Sequence, residues 1–449
     1  MKIDYDHNLK IAAVGIMPWS KLGIEKWFNS YKVASLYSWD LDKNKSPVEN
    51  ICLIKNGHRP TDILRLNTEN LFKYKDFKNL LNTKLNDYYL FPYKPLKITD
   101  HNFLANKYEI SRFFENKASF RIIFSKKFNV PPFKIYEKQN IPLNSTRLFR
   151  DLEAEKVILQ DENLSGGKGT YIITNDDDLK TARNFFKNRN SNNIVASKYI
   201  EGHEFSIQAV VTKSGIFVGP IQRQIIDDPL LVNPHLNKEK FCGGVIDKED
   251  QSGTLFIGLR DLTKKIGLQL KNRGYKGIFG VDFIVDDNEI FLIEINARLT
   301  GLTALINAIY EEVEDMPLSL LHILELGNFK YKIVDSKLDF NKSGSILVLH
   351  SLSDKNYILL DSPKSGVYSF KEGNLIYLSN KNLVLTNLNK DEFIIQKFAP
   401  NGMLIKPGGR ILNLLFNKSV LDKKTNKLYN IDKLLTEVRN NVSLKKVAI

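Results

Sequence analysis

The chain has few cysteines, no long apolar run and no recognisable nucleic-acid-binding motif, and each shortage narrows what it can be. Its two cysteines, Cys52 and Cys242, are too few for a disulfide framework among 449 residues, which fits a reducing cytoplasm. No apolar run approaches the roughly 18–20 residues that a membrane span requires. The opening MKIDYDHNLKIAAVGIMPW carries Asp4 and Asp6 ahead of a short apolar segment, a poor secretion signal and a good first strand. A cytoplasmic protein without a membrane partner is expected. There is no stripe of alternating basic and aromatic residues, so the net charge of +14 reads as scattered lysine among abundant Asn and Ile. A nucleic-acid partner is not expected, whereas a polyanionic small substrate would suit the charge. No serine or cysteine has a plausible histidine partner, and nucleophilic catalysis by the protein is not indicated.

The hydrophobic content of 43% and charged content of 26% are those of an ordinary globular protein with room for two to four domains. Residues 10–16 read as a buried strand, 21–30 as a helix and YKVASLYS as another strand. That β-α-β pattern implies a parallel sheet, continued by DILRLN and DYYLFPYKP to about residue 105. NKYEISRFFENKASFRIIFSKKF is helix-rich and is stopped by Pro131 and Pro132. Two strands, EKVILQD and YIITN, flank a glycine-containing turn, and an amphipathic helix, DDDLKTARNFFKNR, follows. Strands dominate 194–220, then come a long helix over 253–275 and a helix ending at Gly327. Beyond it, GSILVLHSL, NYILLD, GVYSF, NLIYL and EFIIQKF are short strands between turns, before a final helix IDKLLTEVRNNV. The expected units are 1–110, 111–327 with a small lid over about 125–197, and a β-rich 328–449.

Three constellations carry chemistry. In QDENLSGGKGTYII, the glycines Gly166, Gly167 and Gly169 can leave backbone N–H groups free for a phosphate tail, although a plain hairpin turn would use them too. In ASKYIEGHEFSIQAVV, Lys198, Tyr199 and Ile200 can offer a flat slot at a strand end. Glu204 there can accept from vicinal hydroxyls; the alternative is an ordinary turn with a solvated Glu. In GIFGVDFIVDDNEIFLIEINARLTG, side chains two apart share a face, so Glu294, Asn296 and Arg298 stand together on a largely apolar strand. A three-residue loop would set Asp282 opposite Glu294, whereas a two-residue loop would separate them. Asp282, Glu294 and Asn296 make a hard-cation set suited to Mg²⁺, with no His or Cys to favour zinc. The alternative is a structural ion-pair network with Arg298.

Taken in order, these pieces resemble the ATP-grasp superfamily of ATP-dependent carboxylate ligases, over roughly residues 110–325. EINAR is the most specific part. The resemblance implies a multidomain α/β and α+β chain: an ATP-grasp fold preceded by an α/β pre-ATP-grasp domain and followed by a β-rich domain. SKYIEGHEFSI is similar to the family's adenine hinge, implying backbone contacts from Lys198 and Ile200, Tyr199 packed nearby and Glu204 on the ribose. ENKASFRIIF is similar to the first phosphate-lysine motif and gives Lys117 that role. Asp282, Glu294 and Asn296 would hold Mg²⁺, with Mn²⁺ as a substitute, and Arg298 would meet the phosphate or the acyl substrate. The family's second phosphate lysine is replaced by Gln160, leaving Lys156 or the loop residue Lys168 to supply the charge, or Gln160 to meet the nucleotide through hydrogen bonds alone.

The implied activity is amide or peptide bond formation between a small carboxylate and an amine, such as an amino acid or peptide, through an acyl phosphate. The C-terminal segment NGMLIKPGGRILNLLFNKSVLDKKTNKL resembles peptide ligases of the pheganomycin-biosynthesis type. A biotin-carboxylase-like enzyme and a non-catalytic nucleotide-binding protein are the competing expectations, and a homodimer is compatible with either. Arg223 is a candidate anion contact or a structural residue. His235 and Cys242 are candidates to line the same cleft.

Overall fold

The computed structural model describes residues 1–15, 23–35, 49–52, 72, 75–97, 102–167, 169–235, 239–287, 289–312, 316–335, 338, 340–379, 385, 388–422 and 425–447. The first unit is the expected parallel sheet. Its strands lie in the order Glu49–Cys52, Ser30–Ser35, Lys10–Gly15, Tyr89–Pro92. Ile11, Ala12, Ala13 and Val14 are all fully buried, as a strand covered on both faces requires. The helix expected over 21–30 is replaced, within residues 23–30, by a 3₁₀ turn at Glu25–Trp27. The turn cannot lengthen, because Ser30 already starts the next strand and the Tyr5 hydroxyl donates to the Trp27 carbonyl. DILRLN lies outside the described residues.

The helix-rich stretch is two helices, Tyr108–Glu115 and Lys117–Phe124. Asn116 divides them with an extended backbone (φ −70°, ψ 118°), and its side chain accepts from the Ser119 amide at 2.9 Å. That is an N-cap, and it makes Lys117 the first residue of the second helix. Next comes a small antiparallel sheet in the order Phe133–Glu137, Asn193–Lys198, Val157–Asp161, Thr170–Ile173. Helices Ser145–Leu152 and Asp176–Lys187 pack on it around a core of its own that includes Leu148, Leu159, Ile173, Phe186 and Ile194.

The largest sheet has ten strands. It runs Glu289–Asn296, Gly277–Asp286, His203–Thr212, Gly215–Ile226, Phe241–Ile246, Gly344–His350, Arg410–Phe416, Glu392–Lys397, Gly366–Lys371, Asn374–Ser379. The strands beyond residue 328 therefore extend the same sheet as those before it. The junction is Gly243 opposite Leu347; Gly243 has φ +131°, and a Cβ there would stand 2.1 Å from the Ile346 carbonyl oxygen. Only glycine lets the strands meet.

Alternation sorts the sheet's two faces. Phe279, Val281 and Phe283 join the core under helix Thr254–Lys271, with Leu259, Ile266 and Leu270. Ile278 points the other way, into the core of helix Leu318–Leu326. Asp282 is on the face of Ile278. The sheet thus presents its polar residues away from the long helix, towards the small antiparallel sheet. Among the described residues no helix is long and apolar enough to cross a membrane.

Candidate active site

The site starts from one irregularity. Asp286 pairs with Glu289, so two residues separate the strands, not the three that the expected register needed. A two-residue loop alone would put Asp282 and Glu294 out of step. The register shifts between Asp282 and Phe283, however, so that Phe283 faces Leu292 and Asp282 faces Glu294, leaving Ile293 as the extra residue. This is a β-bulge. Its signature is that Leu292 and Ile295, three residues apart, are both buried in the same core.

The bulge brings two carboxylates face to face. Burial, and then the charge of Glu294, push the Asp282 carboxyl up to about 7. Glu294 is displaced the other way: burial opposes its charge, but Lys117 and Arg298 more than compensate and hold it below the usual carboxylate range. Lys117 Nζ stands 3.3 Å from Glu294 Oε2. Asn296 Nδ2 donates to Asp282 Oδ2 at 2.8 Å and to Glu294 Oε1 at 3.4 Å, and Gln224 Nε2 to Asp282 Oδ1 at 3.0 Å. Among the described residues no group of three or more His, Cys, Asp or Glu side chains is placed to hold a metal alone. Two carboxylates and one amide instead suit a hard cation whose remaining ligands are phosphate oxygens and water, and a carboxyl resisting ionisation for want of positive charge fits that cation.

Lys117 is held from three sides. Its amide donates to the Glu162 carbonyl at 2.9 Å, its Nζ donates to the Leu164 carbonyl at 2.7 Å, and Glu294 lies beyond. The neighbouring Asn116 Nδ2 donates to Glu162 Oε2 at 3.2 Å and to Asn163 Oδ1 at 3.1 Å. The helix start is thereby tied to the glycine turn. Gly166, Gly167 and Gly169 all have φ near +70° (68°, 74° and 74°), a left-handed backbone that favours glycine. Gly166 and Gly167 line the cavity above the carboxylates. Gly169 does not: a Cβ there would meet Leu164 at 2.7 Å, and its carbonyl accepts from the Asp161 amide. Lys168 lies outside the described residues.

The same cavity is lined by Lys198, Ile200, Glu204, Gln160 and Ile158, and by Asp282 and Glu294 at its far end. Burial, with Glu239 and Asp282 near it, pushes the Glu204 carboxyl up to about 8. Gln160 is neutral and donates to Thr170 Oγ1 at 3.3 Å. Lys156 is not in the cavity wall. It stacks 3.5 Å over the Tyr199 ring and pairs with Glu201 at 3.7 Å, so Lys156 and Tyr199 brace the hinge from behind. Arg298 lies next to the carboxylates and pairs with Glu115 at 3.0 Å, 6.0 Å from the Tyr93 ring centre. Burial alone would lower its pKa, but Tyr93, Glu115 and Glu294 keep it raised.

Other candidates fall elsewhere. Arg223 is opposite Phe205, one step from Gln224 and so on the other face, where its guanidinium grips Asp250 through two bonds of 2.6 and 2.8 Å. Of its two expected roles it occupies the structural one. Cys242 is fully buried in the C-terminal core, its thiol pushed up to about 12 by burial, and His235 is exposed; neither lines the cavity. Arg121, Gln224 and Glu239 are among the wall residues that went unnoticed in the sequence. Arg121 had a signal, since it lies four residues after Lys117 on the same helix face. Gln224 and Glu239 had none.

Residues 106–302 match the model of the ATP-grasp domain. They form an ATP-grasp domain. The chain is 25% identical over 248 residues to the butirosin acyl-carrier protein–L-glutamate ligase of Niallia circulans, covering 54% of this chain and 53% of that protein. It thus spans about half the length of this curated relative. Its fold is similar to that of an L-amino acid ligase from Bacillus licheniformis (TM-score 0.56, 12% identity, 99% of this chain and 100% of that one). It is also similar to a phosphoribosylamine–glycine ligase from Thermotoga maritima (TM-score 0.57, 15% identity, 98% of each chain). A biotin carboxylase from Campylobacter jejuni shares the fold as well (TM-score 0.58, 12% identity, 97% of this chain and 92% of that one). The ATP-grasp domain accounts for the cavity between the two antiparallel sheets, and the flanking regions complete the fold shared with these structures.

Proposed function

We propose that the chain is an ATP- and Mg²⁺-dependent ligase that joins a carboxylate to an amine through an acyl phosphate. The observation that carries this reading is the half-buried Asp282–Glu294 pair, set beside Lys117 at the end of a cavity whose wall includes the glycine turn. Adenine would lie against Ile158 and Ile200 with backbone contacts at Lys198 and Ile200, and Glu204 would accept from the ribose hydroxyls. The phosphates would run past Gly166 and Gly167 to Lys117. Held by Asp282, Glu294 and Asn296, Mg²⁺ would supply positive charge to phosphate oxygens.

The chemistry follows from that placement. A carboxylate oxygen of the substrate attacks the γ-phosphorus, the bond to the bridging oxygen breaks, and ADP leaves. The amine nitrogen then attacks the acyl carbon, inorganic phosphate leaves, and the amine loses its proton to water or phosphate. The chain's part is to fix the reactants and neutralise charge: Lys117 on the phosphates, Arg298 on the carboxylate or transferred phosphoryl group. The small antiparallel sheet over the cavity would exclude water from the acyl phosphate. Each of the named ligase relatives has an amino acid in its name, which favours an amino acid as one of the two substrates.

Incubation with MgATP and pairs of amino acids tests the reading, monitored by ADP release and product mass. ADP together with a mass equal to the sum of both substrates less water supports it. ADP release driven by bicarbonate alone would favour the biotin-carboxylase-like alternative. Tight ATP binding with no turnover on any pair would favour a non-catalytic protein.

A further inference from the structure

Burying a charge is unfavourable unless an opposite charge or a full set of hydrogen bonds meets it. Arg121 is 3% exposed and is only partly met. Its Nη1 donates to the carbonyl oxygens of Ile293 at 2.8 Å and Leu292 at 3.3 Å, the two residues at the bulge. Among the described residues its Nε has no partner, and Nη2 makes no hydrogen bond. Burial pulls the guanidinium down to about 10, and the carboxylate that offsets this is Glu294. Glu294, however, is already paired with Lys117. Lys117 and Arg121 thus face the same carboxylate.

The guanidinium has a definite place. Arg121 lines the cavity together with Lys117, Gly166, Gly167 and Gln160. It is one helical turn beyond Lys117, on the same face of helix Lys117–Phe124. The wall residues contributed by strand Val157–Asp161, Ile158 and Gln160, carry no charge. We propose that Arg121 is the second phosphate-binding cation of the nucleotide site, in the place that Gln160 leaves neutral. This rests on the ATP reading above. Nη1 is pinned by the bulge, so the fork is pre-oriented, and Nε and Nη2 remain as donors to phosphate oxygens. Arg121 would then join the phosphate tail to the bulge that positions Glu294.

Titration calorimetry of ADP and of adenosine tests this on the full chain, in EDTA so that the metal ligands play no part. Arg121→Met is expected to weaken ADP by about 10- to 100-fold, the loss of a charge-assisted contact, while adenosine changes little. Gln160→Lys added to Arg121→Met is expected to recover much of the ADP affinity. Equal losses for ADP and adenosine, or unchanged ADP affinity, would overturn the proposal and make Arg121 purely structural. Should Arg121→Met fail to fold, Arg121→Lys serves. Lysine cannot hold the bulge carbonyls and a phosphate together, so ADP should weaken several-fold and adenosine should not; unchanged ADP would overturn the proposal. Wild-type protein that binds neither ligand would bring down the ATP reading itself, whereas wild-type binding with an indifferent Arg121→Met removes only the inference.

Discussion

At the scale of single residues, Asp282 and Glu294 are not equivalent, although they share a metal role in our reading. Glu294 is stabilised as an anion by Lys117, and Asp282 is destabilised by burial and by Glu294. Asp282→Asn should therefore raise the melting temperature of the ligand-free protein. Glu294→Gln should lower it, because Lys117 loses its partner, at a cost of about 3 kcal/mol for a partly buried pair. Both should abolish Mg²⁺-dependent turnover. Calorimetric melts of the two variants check this, and melts shifted in the same direction would refute the asymmetry. Glu204 makes a second prediction. Its carboxyl is raised from an ordinary 4.5 to about 8, so between those values the folded state binds more protons than the unfolded one. Stability of the ligand-free protein should fall as pH rises through that window, and Glu204→Gln should flatten the decline. A pH series of melts measures it; an equally steep decline in the variant would place the titration elsewhere. Glu204, Asp282 and Glu294 were legible as candidates because each stands in a short motif whose spacing suggests chemistry, and Lys117 because its segment resembles a phosphate-lysine motif. Gln224 and Glu239 were not, since what gives them meaning is the wall they share with residues distant in sequence, and Arg121 showed only in its spacing from Lys117.

At the scale of elements, the sequence is informative where local rules decide and silent where neighbours decide. The strand ending in Asn296 and its partner were legible from apolar alternation. The bulge between them was not, because Ile293 is held out of register by contacts from another element, the Arg121 bonds to Leu292 and Ile293. The Asn129 carbonyl also accepts from the Leu292 amide. Likewise the helical stretch read as one block, while the capping Asn116 breaks it in two. That break starts a helix at the phosphate lysine and ties it to Glu162 and Asn163. Asn116→Ala should cost about 1 kcal/mol for the lost cap and should also raise the KM for ATP severalfold, because Lys117 loses its register with the glycine turn. Denaturant melts and ATP titrations of the rate read the two effects separately. A stability loss without any change in KM would show that the cap does not position Lys117.

At the scale of the whole molecule, the alternation of short strands after Gly327 suggested a β-rich region, and such strands are present there. What no local pattern carried is that they extend the sheet that holds the site. Ile225, Cys242 and Val245 share one apolar core with Leu347, Leu412 and Leu414. A chain ending at residue 327 should therefore expose that core and aggregate, whereas the small sheet over the cavity packs around residues of its own. Gel filtration of the truncated chain tests this, and a soluble, cooperatively melting fragment would contradict it. The central claim is chemical: a substrate carboxylate takes the γ-phosphoryl group of ATP. The amino acid whose carboxyl group the wild-type protein joins to the amine, labelled with ¹⁸O in that carboxyl group, tests this directly by mass analysis of the phosphate released. Our account predicts ADP and inorganic phosphate carrying one ¹⁸O atom, with no release from the Glu294→Gln protein. Release of AMP and pyrophosphate, or of phosphate without label, would contradict it.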